Sequence, residues 1–474
     1  MHDVIVIGGG VAGLTCAWQL QKSGAKTLVV ERECLPGGNV RTENDRGYLT
    51  ERGPYSIPGF SRHVWQLIAE LNLESEVVAA RPEANDRFVY RDGRLHAIPS
   101  GPMSFFTTDL LSLRGKVRLA MEPFVRGTPR NDDSAEQFFV RRFGEEAARY
   151  LAGPFVSGVY AGDAAQLEAR AAFPLFWGFE QESGSMIKGA WKHFRGRKSP
   201  KDSATPLHPR RKGLFSLRGG LGRLVESLAQ VLGDSVACNC AVERIERHGG
   251  RWQVESQGAT WTADKLVVAI PPSEAATLLQ ELDPEIGQQL RNIAMAPVAV
   301  VHLGFDRETE KVPAGFGFLV PRHYQMRSLG TIFVSRLFAG RAPEGAQLLT
   351  TFLGGVLDPD AVQRNDDELE AITRQDLKHI LGIEAKPCYR RVLHHPHAIP
   401  QFTGGHLERI SSVQERLAAH PGLALAGNYL TGVGLNDAVD SGYAAARLLT
   451  ANGGSPASLA SSQEAVVAQG GTDL

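Results

Sequence analysis

Val4-Ile5-Val6-Ile7-Gly8-Gly9-Gly10-Val11-Ala12-Gly13 sets four apolar residues directly before glycines at 8, 10 and 13. An apolar run of this length bounded by glycine predicts a strand buried on both faces. Gly8, Gly10 and Gly13 complete a Gly-x-Gly-x-x-Gly fingerprint. Gly8 permits the tight turn, Gly10 lets the backbone approach a pyrophosphate, and Gly13 lets the following helix pack close to the strand. A helix over Leu14–Gln21 would then aim its free amides and positive dipole end at the phosphates. A second strand, Lys26–Val30, ends in Glu31, eighteen residues after Gly13, where a carboxylate accepts hydrogen bonds from an adenosine ribose. A chance glycine turn would not bring strand, helix and acid into register. The unit reads as a dinucleotide site.

Composition narrows the class. A chain of 474 residues exceeds one ordinary core, so two or three subdomains are expected. It is 43% hydrophobic and 22% charged, with a formal net charge of -1, which suits a globular enzyme and gives no global attraction to nucleic acid. Five cysteines without a Cys-x-x-Cys pair predict neither a disulfide framework nor a zinc site. The first strand begins almost at Met1, so no cleavable leader is expected, and no run is long enough to span a bilayer. A cytoplasmic protein is the expectation, with peripheral membrane contact open.

Pro36-Gly37-Gly38-Asn39-Val40-Arg41-Thr42 follows the ribose acid within a few residues. It resembles the Gly-Gly…Arg-Thr segment of flavoproteins of the amine oxidase superfamily, which favours FAD over NAD. Two glycines let the chain pass close to the pyrophosphate, and Arg41 is placed to offset its charge. Pro-Gly-Gly also suits an ordinary type II turn.

The pattern changes several times along the chain. An FAD-binding domain is expected from 1–84, 213–285 and 400–450. Residues 85–200 read as a helical subdomain, 286–399 as a substrate domain on an antiparallel sheet, and 451–474 as a disordered tail. The fold class is α/β with a discontinuous Rossmann-like domain. Lys- and Arg-rich residues 192–212 read as a solvated basic loop. Near the C-terminus, strand Leu423–Ala426 leads into Thr431-Gly432-Val433-Gly434-Leu435-Asn436-Asp437 and a helix. A helix N-terminus there can stabilise negative charge on the isoalloxazine N1–C2 edge. Asn428 is a candidate for the ribityl or phosphate part, whereas Asn436 and Asp437 alone would suit an ordinary cap.

A more specific resemblance spans nearly all of residues 3–450. It is carried by Glu51-Arg52-Gly53-Pro54, Asn85-Asp86-Arg87-Phe88-Val89-Tyr90, Leu95-His96-Ala97-Ile98-Pro99 and Phe155-Val156-Ser157-Gly158-Val159-Tyr160-Ala161-Gly162-Asp163. Gly315-Phe316-Gly317-Phe318-Leu319-Val320-Pro321, Ile399-Pro400-Gln401-Phe402 and Gly432-Val433-Gly434-Leu435-Asn436-Asp437 complete it. Together they resemble the oxygen-dependent protoporphyrinogen oxidases and their coproporphyrinogen-oxidising relatives. The resemblance implies that flavin N5 carries the chemistry without a catalytic side chain, and that O2 reoxidises the cofactor. It implies cofactor contacts at Gly8, Gly9, Gly10, Val11, Ala12, Gly13, Glu31, Arg32, Gly38, Asn39, Arg41, Gly53, Pro54, Tyr55, Ser56, Val242, Leu407, Val433, Gly434 and Leu435. It places Arg87 at a propionate, and Gly317, Leu319 and Phe352 along an apolar slot. Arg87 beside Asp86 would equally suit a structural ion pair. A homodimer and hand-over of product to a chelatase stay open.

Other features have plainer readings. His394, His395 and His397 lie in an expected Pro-bounded loop without zinc-helix spacing, so no metal is expected. Cys238 and Cys240 alternate on an expected strand and would pack on one side. Asp163 caps a turn. Met103–Val125 mixes Phe, Leu and Met with Arg114, Lys116 and Arg118, which suits either an interfacial helix pair or a separately packed subdomain. A flavin amine oxidase, a carotenoid-desaturase-like enzyme and a non-catalytic flavin-fold protein are the alternatives. An amine oxidase would want an aromatic cage near the second flavin motif, for which only Tyr429 and Tyr443 are on offer. Gly219-Gly220-Leu221-Gly222 has no ribose acid in register, so no nicotinamide site is expected.

Overall fold

The structure is a computed structural model that describes residues 1–125, 127, 130–196, 213–306 and 312–450. The first strand, His2–Ile7, is central to a seven-stranded sheet. It runs parallel between Thr27–Val30 and Ala259–Val268. Val236–Ala237 and Leu423–Leu425 extend the parallel part, and Arg251–Ser256 and Val242–His248 close it antiparallel. Val4 and Val6 are buried under the helices Val11–Lys22, Arg62–Glu70, Gly222–Leu232 and Leu435–Thr450. Ile5 and Ile7 point the other way, under Pro272–Leu279, Pro284–Arg291 and His406–Leu417. Helices on both faces are why the strand is apolar throughout rather than alternating.

A second seven-stranded sheet has the order Tyr389–Pro400, Met295–Asp306, Ala346–Gly354, Ser328–Ile332, Gly317–Leu319, Arg87–Arg91, Arg94–Ala97. Its pairs are antiparallel except Gly317–Leu319 with Arg87–Arg91, which is parallel. The helix Asp366–Leu381 packs on one face, against Val301, Leu303, Phe318 and Leu349. Helices Ala135–Phe143, Gly153–Tyr160, Pro174–Ser183 and Met186–Gly196 form a third layer around Phe138, Phe139, Tyr160, Phe173 and Phe402. Inside that layer the buried Arg142 guanidinium bonds Glu122, whose other partners include the Ser185 hydroxyl and the Met186 amide. A buried charge persists only when paired in this way.

The structure corrects several expectations. Residues 87–97 form a hairpin of the second sheet rather than the start of a helical unit, so the boundary expected at 85 does not hold for them. His394, His395 and His397 lie in the strand Tyr389–Pro400, not in a loop. The pairs Ala299–His394 and Val298–His395 put the first two on opposite faces. The strand before Cys238 stops at Ala237, and Asn239 has φ 58°, so Cys238 and Cys240 flank a bend instead of alternating on a strand. Lys192 and Arg195 belong to the helix Met186–Gly196. The rest of the expected basic loop and the tail 451–474 lie outside the described residues.

Candidate active site

The three fingerprint glycines occupy different surroundings. Gly8 has φ +105°, and a Cβ there would stand 2.5 Å from the Ala269 carbonyl oxygen. A Cβ on Gly13 would meet the Gly8 carbonyl oxygen at 2.1 Å, so the helix start is pressed onto the turn. A Cβ on Gly10 would meet nothing within 4 Å. That open side is where the amides of the Val11–Lys22 helix point, and it has the properties of an anion cradle. Gly37 pairs with Gly10 in a parallel bridge, and the Gly37 amide donates to the Gly9 carbonyl at 2.7 Å. Gly38 (φ +56°) passes Gly10 so closely that a Cβ would lie 3.6 Å from the Gly10 Cα. A dinucleotide fits this cradle.

Glu31 is buried and accepts the Gly9 amide at 2.6 Å and the Glu33 amide at 2.8 Å. An ionised carboxylate offers about four lone-pair sites, so two bonds leave capacity for ribose hydroxyls. Arg41 bonds the Leu35 and Pro36 carbonyls, which holds the glycine-pair loop in shape. Arg32 is spent on Glu274 at 2.8 Å. Gly53 abuts Asn39, whose carbonyl oxygen would be 2.5 Å from a Cβ there. Pro54 and Ser56 are partly exposed, while Tyr55 is buried with its hydroxyl 3.1 Å from His302 Nδ1. Val11 and Ala12 are buried in the helix start. Val242 packs against one buried core cluster, and Leu407 and Val433 pack against another. Asn428 donates to the Val433 carbonyl at 3.1 Å and so braces the turn before Gly434 and Leu435.

Strand register assembles the slot residues. Arg87 stands opposite Gly317, Gly317 opposite Ile332, Ile332 opposite Thr350, and Thr350 opposite His302. The neighbouring row on the same face reads Val89, Leu319, Gly330, Phe352, Val300. Arg87 and Phe352 are thus three strand spacings apart, roughly 14 Å. The Arg87 guanidinium lies 5.5 Å from the Phe316 ring centre. Phe352 meets Tyr55 edge-on at 6.1 Å. Leu319 is clasped from above, because a Cβ on Gly158 would stand 2.5 Å from its Cδ2. Gly158, Gly330, His302 and Thr350 were not among the expected site residues. Only their two-residue alternation along strands marks three of them, and that signal does not separate a slot from a core.

Glu51 is the main electrostatic surprise. It is buried, takes the Thr42 hydroxyl at 2.5 Å and the Leu221 amide at 3.0 Å, and lies 3.8 Å from buried Arg341. Burial outweighs these partners and pushes its carboxyl up to about 7. The folded state therefore binds a proton that the unfolded chain has already released, so this group's contribution falls as pH rises from the usual carboxylate value to about 7. Urea unfolding of wild type and Glu51→Gln should show wild type losing stability relative to the variant across that window. Parallel pH profiles would disprove the assignment.

The profile of the flavin containing amine oxidoreductase family matches residues 11–450. "Protoporphyrinogen oxidase 1, chloroplastic" of Spinacia oleracea is 33% identical over 94% of this chain and 83% of its own length. "Coproporphyrinogen III oxidase" of Bacillus subtilis (strain 168) is 32% identical over 93% and 96%. The crystal structure of "Putative protoporphyrinogen oxidase from Exiguobacterium sp. 255-15" superposes with a TM-score of 0.79 at 26% identity, covering 94% of this chain and 98% of that one. The cofactor is FAD. The chain is an oxidoreductase of the flavin containing amine oxidoreductase family, on its protoporphyrinogen/coproporphyrinogen oxidase branch.

Proposed function

We propose that this enzyme oxidises protoporphyrinogen IX to protoporphyrin IX in heme biosynthesis, removing six hydrogens in three two-electron steps with O2 as final acceptor and H2O2 as product. The observation that carries the reading is the sheet face on which Phe352 lies three strand spacings from Arg87, with Leu319 on the strand next to Arg87. A flat macrocycle with propionate arms matches a slot with a cation at one end and a phenyl ring at the other. FAD, when bound, supplies the two-electron acceptor. The chain's own residues bind and orient: Arg87 takes a propionate, Leu319 and Phe352 hold the ring faces, and Gly158 keeps Leu319 in place. Residues 1–84, 213–285 and 400–450 serve the cofactor, and 286–399 with the 87–97 hairpin serve the substrate.

Coproporphyrinogen III is the second reading, favoured by the name of the Bacillus subtilis relative. Steady-state rates with the two substrates decide between them. An amine substrate is disfavoured, because Tyr429 and Tyr443 are both buried in core clusters and form no cage. Turnover should consume three O2 and form three H2O2 per porphyrin, without stimulation by nicotinamide. Anaerobic turnover supported by NAD(P)+ would sink the oxygen-dependent reading.

Peripheral membrane contact belongs to the same proposal. No helix among the described residues is long and apolar enough to cross a membrane. Leu110 and Leu111 are buried, whereas Met103, Phe106, Leu113, Met121, Phe124 and Trp191 are more than half exposed. Arg114, Lys116 and Lys192 lie among them in the sequence, and Lys188 reaches over Phe124. An apolar face with basic companions suits an anionic bilayer surface. Sedimentation with anionic vesicles should fall several-fold in a Phe106→Ser/Phe124→Ser double variant. Equal sedimentation of variant and wild type would remove this face from consideration.

A further inference from the structure

The carboxyl of Asp437 has no role in the reading above. It sits in the third position of the helix Leu435–Thr450, where its Oδ2 accepts the Gly434 amide at 2.8 Å and its Oδ1 accepts from Asn436 at 3.1 Å. Gly432 and Gly434 press against it, since a Cβ on either would come within 3 Å of a carboxylate oxygen. Further down the same helix, Gly442 packs so tightly on the first helix that a Cβ would stand 2.5 Å from the Ala12 carbonyl oxygen. Asp437 lies five residues before that contact, about 7.5 Å along the axis. Burial, with the negative charge of Asp437 adding to it, holds the proton on Tyr160, whose hydroxyl donates to the Ala172 carbonyl at 2.8 Å. Tyr160 ends the helix that carries Gly158 over Leu319. Asp437 is thus on the helix that packs on the first helix through Gly442, and it acts electrostatically on the residue that ends the Gly158 helix.

The position contains an electrostatic conflict. A helix N-terminus favours negative charge beside it, and a reduced flavin concentrates negative charge on its N1–C2 edge. An ionised Asp437 at the same helix start would repel that charge. We propose that Asp437 takes up a proton when the flavin is reduced and returns it when the flavin is reoxidised. The inference rests on the proposed location of the flavin ring at the start of this helix.

With FAD bound, two-electron reduction would place one proton on the cofactor, and a second proton, from solvent, would form the O–H bond of Asp437. On reoxidation by O2 that O–H bond would break, and its proton would leave with the cofactor's hydride equivalent as H2O2. The groups facing the carboxyl suit this cycle. Asp440, on the same helix, is tied to His63 at 2.6 Å and adds negative charge, and Tyr160 is neutral. Burial, opposed by the Gly434 amide and aided by Asp440, pushes it up to about 6 before any ring charge is added. A like charge nearby raises a carboxyl further. The proton thus enters across neutral pH.

The test uses the FAD-loaded enzyme without substrate. On photoreduction near neutral pH, wild type should gain the infrared band of a protonated carboxylic acid, and Asp437→Asn should not. The pH dependence of the flavin potential should report two protons per electron pair in wild type and one in Asp437→Asn. Asparagine keeps an oxygen for the Gly434 amide, and the wild-type infrared result stands alone if the variant binds FAD weakly. A wild type without the band, or a variant with the two-proton slope, overturns the proposal. Failure to oxidise any porphyrinogen would sink the proposed function and leave this measurement untouched.

Discussion

Leucine in place of Gly10 should give a folded, colourless protein. Gly10 has φ -71° and ψ 172°, a conformation open to any residue. A Cβ there meets no protein atom within 4 Å. The fold therefore has room for a Cβ, and the volume beyond it is the one proposed for the pyrophosphate. Gly13→Ala is the contrasting control. Its Cβ would stand 2.1 Å from the Gly8 carbonyl oxygen, and overpacking of this kind costs about 1–3 kcal/mol or more. Flavin absorbance per chain and thermal melting separate the two: the first variant loses FAD and keeps its melt, the second loses stability. Stoichiometric FAD in Gly10→Leu would mean that the phosphates run elsewhere.

Arg87→Ala should keep its FAD and lose roughly ten- to a hundredfold in kcat/KM. A charge-assisted hydrogen bond to a propionate is worth on the order of 1.5–3 kcal/mol, and about 1.4 kcal/mol is a factor of ten. Arg87→Lys should recover part of the loss, because it keeps the charge and loses the planar fork. Arg87 also lies over Phe316, so flavin content and melting temperature must accompany the kinetics. Unchanged efficiency with normal flavin would take Arg87 out of the site.

The dinucleotide unit was legible because its parts are near neighbours in the chain. The strand His2–Ile7, the helix Val11–Lys22 and Glu31 lie within about thirty residues, and each glycine answers a local need of turn, approach or packing. The strand-like segments of 298–353 were legible for a similar reason, since alternation is a two-residue signal. The loop expected around the three histidines is a strand, although Pro396 reads as a strand breaker. At 12 residues, Tyr389–Pro400 is held instead by its ladder to Met295–Asp306. The register shift between Ala296 and Val298 shows where that ladder yields. For Cys238 and Cys240, a left-handed Asn239 broke an alternation that composition alone supports.

Sequence by itself determined the α/β class and the strand–glycine–helix unit with Glu31 beside it, and by resemblance it marked the expected slot residues. Backbone sterics, capping and short-period patterning act between residues close in the chain, so they can be read from it. Tertiary structure alone decided that Arg87 pairs in parallel with Gly317, 230 positions away, and that Phe352 and Leu319 share a row. It alone set Gly158 over Leu319, Glu51 beside Arg341, and the buried Asp437 carboxyl on the Gly434 amide. Those meetings follow from which apolar faces are buried together, a choice made by the whole core and written in no single stretch of residues.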